Sequence, residues 1–309
     1  MKVFTITIIA LVLTMSLAAC DTTGRSPSGE DTPPTDSSAL DFEVFTFTMD
    51  NMPLIDGSTA TIPLIEAVYS VLLGIPREEA ALMVNTSGTD NAYDNLMWGE
   101  AEILLVYSPS PVTLESVSNN EIELEMAPIG RDGLVFLVNI ANPIESLTKE
   151  QLVSIYSGRV RNWKDVGGED VEIKAFQRPL RSGSQTMMND LVMENSLLAE
   201  PEANYVIGEM GGLVQAIAMF DNAQSAIGYN VYYFVSQMEI NENVRMLAVD
   251  GVEPSVRSIS DGSYPYVQDF YAVIKKDTPQ DSPARMLFNW IRSAEGQDLV
   301  QHEGYATAE

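Results

Sequence analysis

From Glu43 onward, apolar runs and short polar turns alternate along the chain, and the spacing inside each run sets the element it predicts. EVFTFTMDNMPLIDGSTATIPLIEAVYSVLLG reads as a β-rich run, a turn at Asp56-Gly57-Ser58-Thr59 and an apolar helix that stops at Gly74. The order recurs in AALMVNTSGTDNAYDNLMWGEAEILLVYSP: a short strand, a turn at Thr86-Ser87-Gly88-Thr89, a helix through Met97 and a strand from Ile103 to Tyr107. GLVFLVN, Gly133 to Asn139, is a continuous apolar run that suits a buried strand. In SLTKEQLVSIYSG, Thr148 and Gln151 have capping-box spacing and open a helix that ends at Gly158. VEIKAFQR reads as a strand, MGGLVQAIAMFDNAQSAIGYN as a helix and a strand at Ser225 to Tyr229, and DFYAVIKKD as one more strand. SPARMLFNWIRSAEGQDLVQHEGY is helical with a break at Gly296. Strands alternating with helices predict an α/β fold with largely parallel sheets.

The N-terminus follows another grammar. MKVFTITIIALVLTMSLAAC sets Lys2 before an apolar stretch and small residues before Cys20, the pattern of a secretory signal over residues 1–19. Its end, Leu17-Ala18-Ala19-Cys20, resembles the lipobox of bacterial lipoproteins, in which the cysteine becomes the lipid-modified first residue of the mature chain. Residues 20–42 are mostly Ser, Thr, Pro, Gly and Asp and read as a disordered tether, so globular structure is expected from residue 43.

Composition narrows the chemistry. Cys20 is the only cysteine, which excludes an internal disulfide and a cysteine-based metal site. The single histidine, His302, stands apart from other ligand-type residues, so neither a metal nor a cofactor is expected. A Ser-His-Asp hydrolase would have to recruit that one imidazole. A net charge of -27 argues against a nucleic-acid partner, which needs clustered Lys and Arg. Eight of the 17 Lys and Arg residues fall between Arg131 and Arg181, so an anion is best accommodated there, held by local geometry rather than by the overall field.

Three strand-to-helix turns carry glycine flanked by hydroxyls: Gly57-Ser58-Thr59, Ser87-Gly88-Thr89, and Ser182-Gly183-Ser184 with Arg178 four residues upstream. Turns of this kind in parallel α/β sheets lie at the carboxyl ends of the strands, where ligands bind. Taken singly, each is an ordinary helix cap. Together they present backbone N–H groups, hydroxyls and one arginine fork, the donor set a tetrahedral oxyanion needs.

These residues, with DGSTATIPL, IGRDGLVFLVNIANPIESLTKEQLVSIYSGRVRNWKDVGG, FQRPLRSGSQT, AIGYN and EGQDLVQHEGY, carry a resemblance over residues 44–306 to the phosphate-binding lipoproteins of bacterial ABC phosphate transporters. The resemblance implies a two-lobed type II periplasmic-binding-protein clamp, each lobe a mostly parallel sheet flanked by helices, joined by two crossing strands. Residues 43–130 with 262–309 would form one lobe and 131–261 the other. It further implies inorganic phosphate as ligand, held by Ser58, Thr59, Ser87 or Thr89, Arg178, Ser182, Gly183 and Ser184, and a membrane permease as partner. The protein would be an extracytoplasmic monomer, anchored to the cell membrane through lipid on Cys20, and not an enzyme. Many members have an aspartate after the strand that follows the second turn, accepting the phosphate hydroxyl; here that strand continues LLVYSPSP without a carboxylate. Asp56 is the candidate to replace it, with Asp90 second. Two other readings stay open: binding or sensing of sulfate, molybdate or another oxyanion without transport, and a Ser-dependent hydrolase or phosphatase at the Ser-Gly-Ser turn. Against the last stands the absence of a G-x-S-x-G elbow around Ser184.

Overall fold

The computed structural model describes residues 47–194 and 196–307; the signal, Cys20 and tether expected over residues 1–42 lie outside the described residues. Among the described residues nine strands follow one another as β1 (Ile55–Gly57), β2 (Ile103–Val106), β3 (Leu124–Asn139), β4 (Ser146–Leu147), β5 (Lys174–Ala175), β6 (Ala226–Val231), β7 (Val244–Met246), β8 (Ala248–Val249) and β9 (Val267–Lys275). Seven of them form one sheet in the order β1-β2-β9-β3-β6-β5, with β7 also paired to β3, while β4 and β8 make a separate parallel pair.

The long strand β3 belongs to both halves of that sheet. Its residues up to Gly133 pair with β9, and from Leu134 onward it pairs with β6 and β7. Pairing is parallel at the two outer ends, β1 with β2 and β5 with β6, and antiparallel between. In terms of direction, β1, β2 and β3 run one way with β9 opposed, and β5, β6 and β7 run one way with β3 opposed. Each half is thus mostly parallel with one reversed strand, and the α/β architecture expected from the alternation of elements is present.

Burial explains why the apolar runs are continuous. In β2, Ile103 and Leu105 face one cluster with Leu64 and Ile65 of the helix Ile62–Leu73, while Leu104 and Val106 face a second with Tyr93 and Leu96 of the helix Thr89–Trp98. Leu134 to Val138 of β3 are fully buried, and the helix Met210–Met219 packs across β3 and β6. The capping box forms as its spacing predicts: Gln151 N donates to Thr148 Oγ1 (3.2 Å) and Thr148 N to Gln151 Oε1 (2.8 Å). Gly74 and Gly158 have φ of 65° and 73°, and each ends its helix in the left-handed region.

Three expectations need correction. The short strand before Thr86 does not form: Arg77–Ala81 is a helix, held by Arg77 to Glu66 and Glu303, and the chain runs irregularly from there to Gly88. The strand in VEIKAFQR is only Lys174–Ala175. The C-terminal break falls at Arg292–Ser293, not at Gly296, because Ser293 caps a new helix, Ala294–His302. Gly296 lies in its first turn, where a Cβ would stand 2.3 Å from Trp290 O.

Candidate anion-binding site

The first two turns are tied together from below. Gly57 lets β1 approach β2 closely, since a Cβ there would meet Leu105 O at 2.2 Å. Asp56 is buried, and Oδ1 accepts from Gly57 N (2.6 Å) and Ser87 N (2.8 Å) while Oδ2 accepts from Asn95 Nδ2 (2.7 Å). Asn95 Nδ2 also donates to Ser87 Oγ (2.9 Å). Ser58 Oγ accepts from Tyr107 N (3.2 Å) and shares a hydrogen bond with Thr89 Oγ1 (2.9 Å), so the hydroxyls of the first two turns meet. Gly88, φ 82°, turns the chain into the helix Thr89–Trp98.

The third turn follows β5. Arg178 N donates to Gln185 Oε1 and to Tyr229 OH, both at 3.1 Å, and Tyr229 OH in turn bonds Gln185 Oε1. Ser182 caps the short helix Gly183–Met187 by accepting from Gln185 N (3.2 Å). Against the first two turns the third is packed tightly: a Cβ on Gly183 would stand 2.6 Å from Thr89 Oγ1 and 3.2 Å from Tyr107 Cβ.

All eight ligand residues that the resemblance implies, Ser58, Thr59, Ser87, Thr89, Arg178, Ser182, Gly183 and Ser184, line one cavity of about 650 Å³. The electrostatic centre of that cavity is Arg178. Its side chain is 6% exposed; Nη1 donates to Ile207 O (3.0 Å), Nε has no hydrogen-bond partner, and it enters no ion pair among the described residues. Burial pulls its pKa down to about 10, against the favourable influence of Tyr229 and Glu209. Ser184 Oγ is likewise buried without a partner. A buried cation and a buried hydroxyl, both unsatisfied and on one cavity wall, carry a desolvation cost that a bound anion would offset.

The two candidate acceptors are not on that wall. Asp56 has both oxygens occupied by the loops it joins. Asp90, fully buried, accepts from Ser110 N (2.9 Å) and Ser110 Oγ and so secures the start of the helix Pro111–Asn119. The one carboxylate among the lining residues is Glu209, which the sequence pattern did not bring out. Tyr107 and Arg181 also line the cavity unforeseen; the place of Tyr107 at the carboxyl end of a strand is the signal that could have found it. His302 lies exposed on the last helix. Among the described residues no group of three or more His, Cys, Asp or Glu is arranged to hold a metal ion, and no helix is long and apolar enough to cross a membrane.

An α/β sheet whose two halves share one long strand thus brings hydroxyl turns from both halves around one cavity, beside a buried arginine with no ion pair among the described residues. The model of the PBP superfamily domain matches residues 51–295, and the chain belongs to that superfamily. It is similar to the phosphate-binding protein PstS of Bacillus subtilis, 23% identical over 256 residues that span 81% of this chain and 79% of that protein. With PstS of Borreliella burgdorferi the identity is 24% over 179 residues, 56% of this chain and 62% of the relative, so less than two thirds of that relative's length is spanned. Two solved structures share the fold. A Clostridium perfringens protein solved with bound phosphate has a TM-score of 0.66 at 24% identity, covering 84% of this chain and 100% of that one. An ABC-type phosphate transport receptor from Vibrio cholerae has a TM-score of 0.59 at 21% identity, covering 82% and 98%.

Proposed function

We propose that the protein is an extracytoplasmic solute-binding protein that captures inorganic phosphate between two lobes and delivers it to an ABC importer. The observation that carries this reading is Arg178: a buried guanidinium with a free Nε and no carboxylate partner, in a cavity it shares with Ser58, Thr59, Thr89, Ser182 and Ser184. Its planar fork matches two oxygens of a phosphate, and the hydroxyls and turn N–H groups supply donors for the others. The names of the B. subtilis and B. burgdorferi relatives support phosphate over other oxyanions.

We take residues 43–130 with 262–309 as one lobe and 131–261 as the other. The exchange of partners along β3 after Gly133 supports this division. The first lobe then gives Ser58, Thr59, Ser87 and Thr89, the second Arg178, Ser182, Gly183 and Ser184, and the ion bridges them as the cleft closes. Ser184 Oγ has no hydrogen-bond partner, hence no base to activate it, which favours a binder over a Ser-dependent hydrolase. Lipid on Cys20 would keep the protein at the membrane beside its permease. Calorimetric titration with phosphate, sulfate and molybdate tests the reading. Saturable one-to-one binding that prefers phosphate is expected; no phosphate binding, equal binding of all three ions, or turnover of a phosphate ester overturns it.

A further inference from the structure

The loop between β5 and the helix at Gly183 carries two arginines on the cavity wall, and their surroundings give them different work. Arg178 keeps its charge unpaired. Arg181, with its side chain 50% exposed, spends its charge on the opposite wall: Nη2 bonds Asp94 Oδ2, and Nε lies 3.9 Å from Asp90 Oδ2. Both aspartates sit on the helix Thr89–Trp98, whose first turn is the second hydroxyl turn of the site. That helix leads into β2 in one half of the sheet, and the arginine loop follows β5 in the other. The ion pair therefore crosses the cleft, beside the point where Gly183 packs on Thr89. Its acidic end is anchored, because Asp90 is held by Ser110. Asp94 does not line the cavity, so it acts on a bound ion only through Arg181.

We infer that Arg181 and Asp94 form a latch that holds the two walls together over the ligand, and that Asp94 is a positioning residue for retention of the ion without contact to it. The ligand side of this inference rests on the phosphate reading; the latch itself rests on the cross-cleft geometry. An exposed pair is individually weak, so the expected effect is modest and sensitive to salt.

The test compares wild type with Asp94→Asn, Arg181→Gln and the double variant, each first checked for an unchanged thermal melt. Release of phosphate into an enzymatic phosphate trap, followed by stopped flow, should be about two- to fivefold faster in Asp94→Asn, the range an exposed ion pair supplies. The double variant should release no faster than Arg181→Gln alone, and the difference from wild type should shrink in strong salt. Small-angle scattering of the ligand-free proteins should show a larger radius of gyration for Asp94→Asn than for wild type at low salt. Wild-type release and radius in Asp94→Asn, or effects of the two substitutions that simply add, overturn the latch. If wild type binds no phosphate, that ligand assignment falls and the scattering comparison alone decides the latch.

Discussion

At the scale of the residue, the energetics of the site turn on Arg178. In the free protein burial of its charge opposes folding, and the Ile207 carbonyl, Tyr229 and Glu209 offset only part of that cost. Arg178→Met should therefore weaken phosphate binding by at least about 2 to 3 kcal/mol, the worth of a charge-assisted contact, seen by calorimetry. The same substitution should raise the ligand-free melting temperature by about 2 to 4 °C, since an apolar side chain of similar length removes the desolvation cost. Asp56 behaves in the opposite way. Its two oxygens accept three hydrogen bonds within and between the first two turns, so Asp56→Asn turns an N–H₂ group toward at least one donor. A loss of about 1 to 3 kcal/mol of stability is expected, with weaker binding of every anion and an unchanged ratio of phosphate to sulfate in competition. The contrast shows what the sequence made legible at the site. Glycine beside hydroxyls is a local signal, and the three turns it marks supply eight of the lining residues. Which carboxylate faces the cavity depends on partners such as Ser87 and Asn95, 31 and 39 residues from Asp56, and no local pattern carries that.

At the scale of the element, β3 joins the halves of the sheet, and Asp132 stands on it one residue before the end of its pairing with β9. Its carboxylate accepts from Tyr107 OH (2.6 Å), Gly133 N (2.7 Å) and Tyr233 N (3.1 Å), and so ties the end of β2 to the segment after β6. Burial pushes its pKa up to about 6, although these hydrogen bonds pull it down. A carboxyl raised on folding stabilises the native state most below its unfolded pKa, and that stability is lost as pH rises through the folded value. Wild type should therefore gain about 2 kcal/mol relative to Asp132→Asn when pH falls from about 7.5 to 4.5, measured by denaturant unfolding of both proteins. A gain with rising pH instead would mean the group ionises more readily in the fold than in the open chain. The elements themselves were largely legible, because helices with capping boxes and glycine stops announce their ends, and doubly covered strands read as unbroken apolar runs. Lys174–Ala175 is too short for a periodic signal, and Ala80 to Val84 reads apolar whether it forms a strand or the end of a helix. The long reach of β3 was hidden by Pro128 and Gly130, which look like breakers but coincide with a register shift against β9.

At the scale of the whole molecule, a chain of net charge -27 can hold an anion only through local geometry that frees a cation from its counter-charge, as the surroundings of Arg178 do. If Cys20 carries lipid, Cys20→Ser should move the protein from the membrane fraction to an unlipidated precursor, as metabolic lipid labelling with fractionation will record. Equal label in both forms contradicts the anchor. The strand order has a consequence of a different kind, for the time at which the fold can exist. β9 lies between β2 and β3, yet it is made some 140 residues after β3 begins. Until residues 267–275 leave the ribosome, the first half of the sheet has a gap at its centre, and β2 and β3 have nothing to pair with across it. Contacts of such sequence separation make folding slow, so the emerging chain stays open while it is synthesised; if the N-terminal signal directs export, that is the state a translocation pore receives.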